Sequence, residues 1–483
     1  MEASHAPAPS SLASFLTCSA PLDHKSQFSS WTFLLITAHS SLKMHVYQLL
    51  SFSPLEKFPG ELLYDIVSAL PRQDLLRVRL VSKTLATAAA SSLFHTIPVW
   101  LGLKSLEQFK AISEHHQLSQ YVKEIVFSPL RFIDHGSADQ YLDQVRRLSS
   151  HGSSWEDSQT LTSAGHIAAY KSSIETQRLL SSQGIDSKIL IEGMRRLPQL
   201  SSITIDFLNF SIGCLELMTA FGTLKAGLSL TYDCEHLLPL IFGAMIASKA
   251  NIKTFKLGEH EEFRQDLQGF GTRCSLLEFL SSARDGGRNR PRTISSEALL
   301  NTFYLADEPE GRKTLRELRS LEISSIETNS DHGEELNETM TAIRQIIGLS
   351  PNLEKVTLGE ISDKVSGEMP SLISAFGSSK LQRLQKLDVY NYASEANDMV
   401  HFFGSHAATL VEIRLGWMTL LDGNWSSLLT RLRQVKFLRL KHFVLNDCDD
   451  NEVDLEVQNY VLGKTDFDPI VEARTMRDNL AST

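Results

Sequence analysis

Few stretches of this chain place residue types at a spacing that could do chemistry, and each lacks an essential member. Gly463-Lys464-Thr465 ends like a loop in which backbone N–H groups and a lysine cradle a phosphate. Gln458 stands where the first glycine of that loop belongs, and no strong strand leads into it. Asp447-Cys448-Asp449-Asp450-Asn451 imitates a calcium loop, but Glu452 replaces the glycine that turns such a loop and Gln458 its bidentate glutamate. A nucleophilic thiolate needs an electropositive setting, whereas Cys448 lies among Asp447, Asp449, Asp450 and Glu452. Cys214 and Cys234 sit in apolar segments that suit a core; Cys18 and Cys274 complete the five, with no CxxC spacing. His115-His116 fits the C-terminal end of a helix better than a metal site. The sequons at Asn209, Asn337 and Asn424 are inert in the reducing compartment that scattered cysteines suggest. With no G-x-S-x-G, no H-E-x-x-H and no cluster of His and Cys, the chain is expected to hold no catalytic residue, metal or cofactor.

The elements around these residues say more. At 483 residues, 42% hydrophobic and 22% charged, the chain exceeds one ordinary domain and has a globular composition. A net charge of −10 disfavours a nucleic-acid backbone as partner, because that affinity comes from clustered Lys and Arg. No run approaches the roughly 18 apolar residues of a membrane span, so no membrane partner is expected. No Lys or Arg precedes Lys25, which speaks against a secretory signal and for cytoplasmic or nuclear residence. Residues 1–50, rich in Ser, Ala, Pro and His, are expected to be a disordered arm, and a start at Met44 would remove most of it.

Leu55 to Phe94 predicts three short, closely spaced helices. Pro59 opens the first, with Glu61 in its first turn, and Pro71 stops it. Leu62, Leu63, Ile66, Val67 and Leu70 spread over about 140° of its circumference, whereas one small core needs about 100°. The excess predicts a helix that buries two faces, one on its own module and one on another body. Asp74 is expected to cap a second helix holding Leu75, Leu76, Val78, Leu80 and Val81. Ser82 is expected to cap a third, holding Leu85, Ala88, Ala89 and Leu93. A module of some 40 residues seldom buries enough surface to stand alone.

These residues resemble an F-box, the helical module by which receptor subunits of cullin-based ubiquitin ligases dock on a Skp-family adaptor. Phe58-Pro59-Gly60-Glu61-Leu62 falls on the family's Leu-Pro-x-Glu-Leu opening, Asp74-Leu75-Leu76 on its acidic-Leu-Leu segment, and Val81-Ser82-Lys83 on its Val-Cys/Ser-Lys segment. Phe58 replaces the usual first Leu, and Leu85 the common Trp. The resemblance implies adaptor contacts from Leu55, Phe58, Pro59, Leu62, Ile66, Leu70, Leu75, Leu76, Val78, Leu80, Val81 and Lys83, and through the adaptor a cullin.

Beyond the module an apolar triplet at i, i+3, i+5 recurs. It begins with Val122, Ile125, Phe127 and continues as Leu200, Ile203, Ile205; Ile252, Phe255, Leu257; Leu318, Leu321, Ile323; and Leu353, Val356, Leu358. Leu384, Leu387, Val389; Leu410, Ile413, Leu415; and Val435, Leu438, Leu440 follow. The last five start 35, 31, 26 and 25 residues apart, close to the roughly 20 to 29 of leucine-rich repeats. Spacers with helical period, such as Leu336, Met340, Ile343, Ile346 and Ile347, predict a helix returning between strands. Each repeat must then borrow its core from its neighbours. His401-Phe-Phe-Gly-Ser-His406, Gly423-Asn-Trp425 and Tyr460-Val-Leu-Gly463 further resemble the receptor half of F-box proteins from filamentous fungi.

The expected fold is therefore α/β: an N-terminal three-helix F-box, then an irregular leucine-rich-repeat-like solenoid with a helical insertion. Its parts are the arm 1–50, the F-box 51–96, a connecting helix and first strand 97–136, a helical insertion 137–199, the repeat region 200–445 and an acidic tail 446–483. Positions i+2 and i+4 of the triplets should face the concave side. Lys256, Glu322, Lys355, Thr357, Lys386, Asp388, Glu412, Arg414 and Arg439 stand there, with bases prevailing, and form the expected surface for an unknown protein substrate. The resemblance implies a non-catalytic substrate receptor of a Skp–cullin–F-box ligase. The rival is a repeat scaffold that recruits partners without ubiquitin transfer.

Overall fold

The computed structural model describes residues 58–132, 134–137, 139–143, 164–206, 230–258, 296–324, 326–328, 334–359, 361–363, 369–377, 379–446, 455–472 and 475–476. The arm 1–50, Leu55 and the acidic run 447–451 lie outside them. The chain divides into two units, Met1–Leu63 and Tyr64–Thr483.

The three predicted helices are present. They are α1 (Gly60–Ser68), α2 (Arg72–Val78) and α3 (Lys83–Leu93). The α1 ladder starts on the Pro59 carbonyl, which accepts from Leu63 N–H at 3.2 Å. Ser82 caps α3 as expected, its side chain accepting from Leu85 N–H at 3.3 Å. Asp74 does not cap α2. Pro71 precedes that helix, and Asp74 sits in its first turn, paired with Arg77 at 2.9 Å. Pro71, with its fixed φ and no N–H, starts the helix earlier than a capping carboxylate would.

The body of the second unit is a ten-stranded sheet. Its strands are β1 (Thr96–Trp100), β2 (Glu124–Ser128), β4 (Ser202–Asp206), β6 (Thr254–Gly258), β7 (Ser320–Ile323), β9 (Lys355–Leu358), β11 (Lys386–Tyr390), β13 (Glu412–Gly416), β15 (His442–Asn446) and β16 (Leu455–Glu456). They lie side by side in chain order. All pairs are parallel except β15 with β16. Parallel neighbours require crossovers, usually helical. Here α4 (Leu103–Glu114), α6 (Ile185–Arg195), α7 (Cys234–Ser248), α8 (Ser296–Asp307), α9 (Pro309–Arg316), α10 (Glu334–Leu349), α11 (Leu372–Phe376), α12 (Ala396–His406) and α13 (Trp425–Leu432) supply them. Consecutive helices pack on one another from α4 through α6, α7, α8 and α10 to α11, and α12 packs on α13. Short strands follow several of the main ones. Thus β8 (Ile326–Thr328) pairs with β10 (Ile361–Asp363), and β12 (Ala393–Ser394) with β14 (Thr419–Leu420). Another short pair joins β3 (Leu130–Phe132) to β5 (Leu230–Tyr232).

The triplets explain the register. Ile125, Ile203, Phe255, Leu321, Val356, Leu387 and Ile413 pair in succession across the sheet, and so do Phe127, Ile205, Leu257, Ile323, Leu358, Val389 and Leu415. All are buried in one continuous core with the helices. Leu387 and Ile413, which hold the same place in adjacent triplets, are both fully buried. A period of two puts these side chains on one face, and only the adjoining strands and helices can cover them.

Three expectations change. The last strand is not at Val435, Leu438, Leu440: Leu438 is 75% exposed, and the strand is β15, where Phe443 pairs with Ile413 and Leu445 with Leu415. The triplet in use is Leu440, Phe443, Leu445, five residues later. A strand also precedes the first triplet: β1 carries Ile97 and Val99 opposite Ile125 and Phe127. Between β2 and β4, where helices were expected, α6 packs between α4 and α7 as the crossover, while α5 (Ala164–Ser182) contacts β3. Gly193 permits the closeness of α6 to α4, since a Cβ there would lie 2.2 Å from the Phe109 ring. Within the segment read as a tail, β16 and α14 (Gln458–Val461) close the last strand.

His406 ends α12 inside the core. Its Nε2 accepts from Leu381 N–H at 3.3 Å, and Nδ1 lies 2.9 Å from the Phe402 carbonyl, which suits a neutral ring with hydrogen on Nδ1. Burial lowers its pKa, partly offset by the bond to Phe402. A depressed histidine pKa means that the unfolded chain takes up a proton first, so stability falls as pH drops below the ordinary histidine value of about 6.5. The melting temperature is expected to decline from pH 7 to 5.5, and His406→Gln to flatten that decline, as followed by circular dichroism.

Candidate protein-interaction surfaces

In α1 the wide apolar arc divides. Leu63 and Val67, at the far side of the arc, are buried, and Leu70 is half-buried, whereas Leu62 and Ile66 are exposed one turn apart. In α2 and the turn after it, Leu75 is 5% exposed, Val78 half-buried, and Leu76 exposed; Leu80 is 82% exposed, and Val81 is also exposed. Phe58, Pro59 and Lys83 are exposed as well. Leu75 is therefore corrected from an adaptor contact to a member of the module's own packing. Helices α2 and α3 pack together, and Leu75, Leu85, Ala88, Ala89 and Leu93 are all buried. Leu85 fills its buried position although it is smaller than the Trp of the resembled pattern. Isolated exposed hydrophobics need no explanation, but this many in some twenty residues do.

The second surface is the sheet face opposite the triplets. Lys256 and Lys355 flank Glu322 at 4.0 and 3.9 Å, and Lys386 and Arg414 flank Glu412 at 2.8 and 2.9 Å. The bond from Lys386 holds the Glu412 carboxyl below its ordinary pKa. Arg439 is not on this face; it lies in the irregular stretch before β15. Asp388, expected to point to solvent, is partly buried. One carboxylate oxygen accepts from Thr357 Oγ1 at 3.3 Å and the other, Oδ1, is out of water with no partner. Burial raises its pKa against the pull of Lys355 and Arg414. A raised carboxyl pKa means that the folded protein disfavours the charged form at neutral pH, a cost that disappears as pH falls below the ordinary carboxyl value. Asp388→Asn is expected to raise the melting temperature at pH 7, and the gain to shrink towards pH 4.

Residue reading did not single out Tyr390 and Trp417. The Tyr390 ring lies over Gly416 of the next strand, where a Cβ would come within 2.3 Å, and its centroid is 6.1 Å from that of Trp417. Tyr390 is two residues beyond Asp388, on the same strand face, and Gly416 opposite a tyrosine was the available signal.

The chemical candidates stay apart. Gly463, with φ +68°, follows the end of α14 rather than leading into a helix, so the following Lys464 and Thr465 cannot cradle a phosphate at a helix N-terminus. His115 follows α4, where its Nδ1 accepts from Gln117 and Leu118 N–H. Cys234 is buried, and burial beside Asp233 and Glu235 pushes its thiol far up. Among the described residues no group of His, Cys, Asp and Glu could hold a metal ion, and no helix is long and apolar enough to cross a membrane.

No protein-family model matches the chain, and no curated protein does. Among solved structures, it is similar to the crystal structure of a Rad7 and Elc1 complex in yeast, at 13% identity over 85% of this chain and 91% of that one, with a TM-score of 0.20. A likeness at that score is too slight to support either fold or function.

Proposed function

We propose that this chain is the substrate receptor of a Skp–cullin–F-box ubiquitin ligase. Helices α1 to α3 are the F-box and dock a Skp-family adaptor, and the sheet with its crossover helices is a leucine-rich-repeat-like receptor for a protein substrate. The chain itself performs no catalysis. A conjugating enzyme held on the cullin transfers ubiquitin, and the receptor contributes by raising the effective concentration of the substrate. It works in the cytoplasm or nucleus, where the adaptor is.

The observation that carries this reading is the split of the α1 arc. A helix serving only its own module would have no reason to leave Leu62 and Ile66 in water, and burying them on a partner offsets the cost of exposing them. The order of strands and the shared register of the triplets support the receptor half. The test is co-purification of the tagged full chain with a recombinant Skp-family adaptor and cullin. A stable interface of this kind buries about 1,600 Å². Absence of the adaptor from the wild-type eluate would sink the reading.

A further inference from the structure

In the later half of the sheet, the neighbouring strands β11 and β13 carry an acid-binding group and an aromatic pair on one face. Glu412 receives Lys386 Nζ at 2.8 Å and Arg414 Nη2 at 2.9 Å, yet its side chain is 14% exposed while theirs are 52% and 51%. The carboxylate is sunk, and the two cationic heads stand over it. An ammonium carries three donors and a guanidinium five, so one bond each to Glu412 leaves donors of both directed to solvent. The arrangement recurs nearby, where Glu322 is more deeply sunk than Lys256 and Lys355. What a ligand meets is therefore positive, although the charges beneath nearly balance.

Two residues beyond Arg414 along β13, the Tyr390 ring of the neighbouring strand covers Gly416, and Trp417, 54% exposed, holds its backbone in the left-handed region at φ +47°. A bulky aromatic residue seldom adopts that conformation, and such strain gathers at binding sites. Tyrosine and tryptophan are the side chains that anchor protein interfaces.

We propose that this part of the sheet binds an acidic peptide segment, with a carboxylate or phosphate between Lys386 and Arg414 and a large apolar side chain on Tyr390 and Trp417. This names a substrate class for the receptor reading and rests on it. Strands are about 4.8 Å apart, so from β9 to β13 the surface spans about 10 Å, which an extended peptide covers in about three residues. A nucleic acid fits less well, because its affinity comes from many phosphate contacts and the whole chain carries a net charge of −10.

The test uses the full chain and a positional-scanning library of short synthetic peptides containing Asp, Glu and phosphoserine, read by fluorescence anisotropy. Wild type is expected to select an acidic position and, a few residues away, Leu, Phe or Trp. Lys386→Gln with Arg414→Gln should weaken the selected peptide by about tenfold or more and reduce its salt dependence. Trp417→Ala should erase only the apolar preference. Selection of phosphoserine alone assigns a phosphopeptide, and selection of Asp and Glu as well assigns an acidic segment. No acidic selection, selection unchanged in the double variant with its melting curve intact, or equally tight binding of a single-stranded oligonucleotide would overturn the proposal. Adaptor co-purification is measured separately, so loss of peptide selection with the adaptor retained counts against this inference alone.

Discussion

Leu387→Asp is expected to lose the cooperative unfolding transition of the sheet, or to shift it so far that the protein is largely unfolded at physiological temperature. Leu387 is fully buried between Val356 and Ile413, inside the core shared by strands and helices. An unpaired carboxylate there is desolvated without a partner, costing on the order of 4 kcal/mol, a large part of the 5 to 15 kcal/mol that holds a typical domain folded. Neighbouring strands depend on the same side chain for their cover, so the damage should spread to β9 and β13 together. Leu387→Ala, which only leaves a cavity, should cost about 3 kcal/mol. Lys386→Gln, one residue away but half-exposed, should change stability by less than about 1 kcal/mol. Urea titrations of the three variants decide the matter. If the aspartate and glutamine variants unfold at the same midpoint, the continuous core is not what holds these strands.

Ile66→Asp with Leu80→Asp should abolish adaptor co-purification without lowering the melting temperature. Both side chains are exposed in the chain alone, so a carboxylate at either costs little in the free protein. In a docked interface each would meet a desolvated apolar surface. Losing one central anchor costs on the order of 2 kcal/mol, about thirtyfold in affinity, and two anchors, if their effects add, roughly a thousandfold. Leu75→Ala provides the contrast, because its side chain is buried and its loss should lower helix stability before it affects docking. If the double aspartate variant retains the adaptor at wild-type yield, the exposed apolar residues are not the docking surface.

The sequence by itself determined that strands would lie side by side in chain order with crossover helices between them. A triplet at i, i+3, i+5 has its last two members on one strand face, and a segment with one apolar face cannot close its own core. It also determined the three helices and the cap at Ser82. It did not determine the frame of the last strand. Leu440 closes one apolar triplet and opens another, and only the ladder from Ile413 to Phe443 selects the second. The first strand was hidden by Pro98, a residue that argues against a strand except at an edge; β1 is the edge, where a missing N–H leaves no ladder bond unmade. Which apolar residues of α1 face water was likewise undecided, because a helical arc shows its width and not which part the neighbours take. The charges of the sheet face could be counted but not weighed. Only register and packing sink Glu412 and Glu322, half-bury Asp388 and leave the lysine and arginine heads outermost, since exposure depends on which side chains stand opposite across strands far apart in the chain.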